Sequence, residues 1–103
     1  MVNPTPLPLN DANMLRIVRE LAQKSENVFI KKHAKQRMVQ RGITLMQVLE
    51  CLRKGVIDEP AHLSIQGDWK CTLRHQCAGD MVRVAAAIEK DDSDNWIAVI
   101  TVF

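Results

Sequence analysis

Residues 31–48 read K-K-H-A-K-Q-R-M-V-Q-R-G-I-T-L-M-Q-V, and the way this stretch divides decides the fold. The basic half stops at Gly42, so residues 31–42 predict one short helix. The other half carries a helix-start signature: Thr44 caps, Gln47 reaches back to it, and Ile43 staples onto Val48. A second helix follows with an apolar face of Leu45, Val48, Leu49 and Leu52, and Gly55 after Lys54 reads as a left-handed stop. Two short helices joined at Gly42 predict a helical hairpin with its basic stripe on the side that does not pack.

The stripe itself is costly. Lys31, Lys32, His33, Lys35, Arg37 and Arg41 occur without an intervening acid. His33, Arg37 and Arg41, four apart, share one helical face, with Ala34 and Met38 beside it to pin the helix down. Lysines in a first turn oppose the helix dipole by about 0.3–1 kcal/mol each, and like-charged pairs such as Lys31/Lys35 and Arg37/Arg41 cost about 0.2–0.5 kcal/mol more. A phosphate at the helix start would relieve this strain. The plain alternative is a solvated basic face.

Outward toward the N-terminus, residues 28–30 form a short β-type run. Before it, Asn10 or Asp11 caps a helix with Met14, Leu15, Val18, Leu21 and Ala22 at helical spacing, ending near residues 25–27. Pro4, Pro6 and Pro8 keep residues 1–10 extended. Toward the C-terminus the period becomes two. Residues 56–57 and 62–65 are weak strand signals. Residues 69–75 alternate Trp69, Cys71, Leu73 and His75 against Lys70, Thr72 and Arg74. Residues 81–89 set Val82, Val84, Ala86 and Ile88 against Met81, Arg83, Ala85 and Ala87, which suits a central strand apolar on both faces but for Arg83. Turns are expected at residues 77–80 and 91–95, and residues 96–103 close the chain as a strand. The class is α+β: an N-terminal helix plus a helical hairpin on an antiparallel sheet of about four strands. Residues 11–103 form one domain, an added helix at 11–26 and a core at 28–103.

The 103 residues suffice for one core, and the composition is that of a globular chain. No apolar run approaches a membrane span and no signal peptide is evident, so the cytoplasm is the expected compartment. Three cysteines agree with a reducing setting. The net charge of +2 hides an asymmetry: residues 28–55 hold seven basic residues against Glu50 alone. That points to a local anion site rather than a protein that coats nucleic acid wholesale.

The residue types suit metal-independent RNA cleavage, in which a base takes the 2′-hydroxyl proton, cations stabilise the phosphorane and an acid protonates the leaving oxygen. His33 and His75 are candidate acid or base groups. Arg37, Arg41 and Arg83 are candidate catalytic clamps, with Lys31, Lys32, Lys35 and Arg74 as further RNA phosphate contacts. Arg83 has a structural alternative, an ion pair with Glu50 or Glu89. A zinc site from Cys71, His75 and Cys77 with His62 or His33 matches no common spacing; the cysteines read as core, and neither metal nor cofactor is expected. Trp69 and Trp96 could stack on bases but read first as core bulk.

The motif H-A-x-x-R-M-x-x-R-G-I at residues 33–43, the capped helix, Gly55 and the C-terminal I-T-V-F resemble the bacterial family known as domain of unknown function 4258, over residues 28–103. That family in turn resembles a distant branch of the RelE/ParE toxin superfamily, a helical hairpin on an antiparallel sheet whose ribonuclease members need no metal. The resemblance implies a toxin-like endoribonuclease, with a cognate antitoxin covering its basic surface. Carried onto this chain it selects His33, Arg37 and Arg41. RelE-type ribonucleases often use a tyrosine near the C-terminus, and this chain has none; ParE-like members bind a protein target instead. The alternative function is a non-catalytic basic module that grips nucleic acid or an acidic protein.

Overall fold

The computed structural model describes residues 10–77, 79–90 and 94–103. The proline-rich segment, and the part of the acidic turn at residues 91–93, lie outside them. In chain order the elements are α1 (Asp11–Ala22), a 3-10 turn (Ser25–Asn27), β1 (Val28–Ile30), α2 (Lys32–Arg41), α3 (Leu45–Lys54), β2 (Val56–Leu63), β3 (Trp69–Cys77), β4 (Asp80–Lys90) and β5 (Asn95–Val102). The three helices pack on one face of a sheet ordered β1-β5-β4-β3-β2.

The sheet has five strands rather than about four, because β1 joins it. β1 runs parallel to β5, with Phe29 opposite Ala98, so the sheet is mixed. The remaining pairs are antiparallel, and β4 is central as its two-sided apolar pattern predicts. One face of the sheet turns Cys71, Leu73, Val82, Val84, Ala86, Ile97, Val99 and Val102 into a core completed by Met14 and Val18 of α1, Ala34 of α2, and Val48, Cys51 and Leu52 of α3. Among the described residues no helix covers the other face, on which Thr72, Ala87 and Ala98 are nevertheless buried. Arg83 stands exposed on that face instead of being buried in a two-sided strand.

Helix ends follow the local chemistry. Asn10 caps α1 by accepting from the Asn13 amide at 2.8 Å. Thr44 and Gln47 form both halves of a capping box at α3. At Gly42, φ is +67°, and its amide and that of Ile43 reach back to Val39 O and Met38 O, a Schellman stop. Gly55 is different. Its backbone is extended (φ −70°, ψ 171°), so the left-handed stop expected there does not occur. Glycine is required for space instead: a Cβ would sit 2.4 Å from Cys51 O and 2.8 Å from Arg74 O.

The helices after β1 are consecutive and turn at Gly42, and each has its own neighbours: α2 lies on β5, and α3 packs against α1, β3 and β4. Leu45, expected on the α3 core face, is exposed; Cys51 fills the face with Val48, Leu49 and Leu52. Leu45 falls in the first turn, before the helix reaches the core. The two weak strand signals after Gly55 merge into one bulged edge strand, β2, while Ile65 lies beyond it and is fully exposed. Helix α1 is tied in by three bonds: Arg19 Nη2 to Gly55 O (2.9 Å), Arg53 Nε to Ala22 O (2.7 Å) and the Ala61 amide to Asp11 Oδ1 (2.8 Å).

Candidate functional site

The α2 helix starts where β1 ends: the Lys31 amide bonds Val99 O at 3.0 Å, and Lys31 caps the helix without a side-chain acceptor. The first-turn N–H groups thus lack a side-chain cap, and no acid lies in that turn. Ala34 is buried and Met38 half-buried against the core, which fixes the rotation of the helix. That rotation leaves Lys32, His33, Lys35 and Arg41 exposed. Arg37 is half-buried; its Nε donates to Val102 O at 3.3 Å and its Nη1 to Gln40 Oε1 at 3.4 Å. Among the described residues, no carboxylate pairs with Lys32, Lys35, Arg37 or Arg41.

Lys31 differs from its neighbours, since Nζ lies 3.5 Å from Glu89 Oε2. The other oxygen of Glu89 accepts from Trp96 Nε1 at 3.2 Å, and Trp96 meets Phe29 edge-on with centroids 6.2 Å apart. These groups, with Lys32, line a cavity of about 790 Å³ beside the start of α2. Trp96 is therefore part of a surface hollow, whereas Trp69 packs on the rim of the core.

Two further groups sit elsewhere. On the sheet face away from the helices, Arg74 and Arg83 oppose each other on β3 and β4 and share Asp58, at 3.2 and 3.4 Å. Arg83 thus pairs with Asp58 rather than with Glu50 or Glu89, because the irregular register of β2 around Asp58 brings that carboxylate to it. On the opposite face, where α3 covers β3, His75 Nε2 lies 4.0 Å from Glu50 Oε2, and the Cys77 thiol points to the same oxygen at 3.9 Å.

The structure therefore aligns His33, Arg37 and Arg41 on α2 and joins Arg74 to Arg83. His75 projects from the other side of β3, and one strand, β4, separates that position from the strand beneath α2. Sequence reasoning missed Asp58, and it missed Glu50 as the partner of His75 and Cys77. The one local signal was the spacing of two between His75 and Cys77, which puts both on one side of a strand. Cys71 belongs to the core, and among the described residues the group of close potential metal ligands is Glu50, His75 and Cys77, without Cys71. Burial pushes the Cys51 and Cys71 thiols up to about 12. Burial and then the Glu50 carboxylate raise Cys77 as well, so none of the three is an activated nucleophile.

Three helices on one face of a five-stranded mixed sheet, with a basic helix beside its parallel edge whose Lys32, Lys35, Arg37 and Arg41 have no carboxylate partner among the described residues, define an α+β protein with a basic surface. The family described as Domain of unknown function (DUF4258) matches residues 30–103, and the chain belongs to it. Helix α1 lies outside the matched region. No curated protein and no solved structure matches the chain. Among the described residues, no helix is long and apolar enough to cross a membrane.

Proposed function

We propose that this protein holds RNA on α2 in the manner of a RelE-like toxin, with the phosphate backbone on Lys32, Lys35, Arg37 and Arg41. The observation that carries this is the set of cations, exposed at Lys32, Lys35 and Arg41 and half-buried at Arg37, with no carboxylate partner among the described residues. A surface helix of this kind repels itself, and a polyanion removes the cost. The hollow beside it holds Phe29 and Trp96, aromatics of the kind on which unpaired bases stack, among Lys31 and Lys32 and the carboxylates of Glu26, Glu89 and Asp94. An acidic antitoxin is the protein partner whose charge suits the same face, and the setting is the cytoplasm, where RNA is abundant.

Metal-independent cleavage is the second reading, favoured by one observation: exposed His33 lies one turn before Arg37 and two before Arg41. Binding ranks above cleavage because 2′-hydroxyl attack needs both a base and an acid, and the second histidine candidate, His75, stands beside Glu50 on β3, with β4 between it and the strand beneath α2. The two readings separate in one experiment. Purified protein is mixed with single-stranded RNA in EDTA, and both retention and cyclic-phosphate ends are scored. Salt-sensitive retention of intact RNA supports binding alone. Cyclic-phosphate products lost in His33→Ala support the toxin-type endoribonuclease. Neither retention nor products refutes both.

A further inference from the structure

Three side chains converge between α3 and β3 and serve no role in the RNA surface. Glu50 reaches down from the helix; His75 and Cys77, two apart, reach up from the strand. One ligand atom from each lies within 4.8 Å of the other two. Cys77 is buried, while Glu50 and His75 are partly exposed, with side chains 40% and 25% open, so one side of the group faces water.

We propose that Glu50, His75 and Cys77 form a three-ligand site for a divalent metal of the zinc type, with water as the fourth ligand. A thiolate, an imidazole and a carboxylate form a donor set that suits zinc and disfavours magnesium or calcium, which take oxygen ligands. Zinc bonds of about 2.0–2.3 Å place tetrahedral neighbours about 3.3–3.6 Å apart, so closure needs shifts of about an ångström or less per atom. The spacing fits a metal better than the two rival uses. His75 Nε2 and Glu50 Oε2 at 4.0 Å are too far apart for a hydrogen bond. The thiol of Cys77 is directed at the carboxylate, not at the imidazole, so no base is set to activate it as a nucleophile. On binding, the thiol proton passes to solvent and the sulfur becomes a thiolate ligand. A bound metal would clamp α3 to β3 and occupy His75. This inference does not depend on RNA binding at α2.

The test uses the full chain, stripped of metal and then titrated with zinc against a chromophoric chelator and, separately, with cobalt(II). One equivalent of zinc per chain and a thiolate-to-cobalt charge-transfer band are expected. Cys77→Ser should abolish the band. Glu50→Gln and His75→Ala should each weaken zinc by more than about a hundredfold, since even groups behind metal ligands are worth about 10–100-fold. His62→Ala should bind as the parent does. Absence of the band in the parent protein overturns the proposal. If Cys77→Ser does not fold, the other two variants decide, and parent-like affinity in both overturns it equally.

Discussion

Arg74 and Arg83 stand directly opposite each other on β3 and β4, and the single carboxylate of Asp58 meets both. Like charges in facing positions destabilise a sheet, so this arrangement holds only because Asp58 lies between them. Asp58→Asn is expected to lower stability by about 0.5–1 kcal/mol, a modest figure because all three groups are partly solvated. Urea unfolding measures it. Adding Arg83→Gln to Asp58→Asn should return part of the loss, and a double variant no better than the single would show that the arginines do not oppose each other.

Gly42 and Gly55 both follow helices, but the choice of replacement should matter at Gly42 and not at Gly55. Gly42 has φ +67° with open space around the missing Cβ, so Gly42→Asn should cost less than Gly42→Ala. At Gly55 the obstacle is backbone at 2.4 and 2.8 Å, and any side chain collides. Both Gly55→Ala and Gly55→Asn should cost at least about 1–3 kcal/mol by urea unfolding. Equal tolerance at the two positions would contradict the distinction.

Burial holds the Cys71 thiol neutral up to about pH 12, against 9.0 for a free thiol. With the folded value raised, its contribution is complete below pH 9 and is lost as the unfolded chain ionises between about 9 and 12. The slope is at most about 1.4 kcal/mol per pH unit. The urea midpoint should therefore fall more steeply above pH 9 in the parent than in Cys71→Ala. Parallel curves would show that Cys71 is not protected.

Much of the fold was legible because its signals are local. The Asn10 cap, the Thr44–Gln47 box, the Gly42 stop and the alternation in residues 69–75 and 81–89 each depend on residues a few positions apart. The missed features depend on approach between distant segments. Nothing within residues 28–30 reveals that they pair in parallel with residues 97–99. Gly55 is explained by the carbonyl of Arg74, far along the chain, and Leu45 lost its core place to Cys51 because of where α3 lands. The site divides in the same way. The exposure of Lys32, His33, Lys35 and Arg41 followed from helical spacing around Ala34 and Met38. The pairing of Arg83 with Asp58 required the irregular register of β2, and the meeting of Glu50 with His75 and Cys77 required α3 to lie on β3.

The most direct test of the RNA surface is the salt dependence of binding to a labelled single-stranded RNA, measured by fluorescence anisotropy for the parent and for the triple variant Lys32→Gln, Lys35→Gln, Arg41→Gln. Arg37 is left intact because it also braces Val102 O. Each lost phosphate contact should reduce the slope of log affinity against log salt by about 0.7, so about 2 in all, with weaker binding at low salt. An unchanged slope and affinity in a folded triple variant would contradict the assignment of RNA to α2.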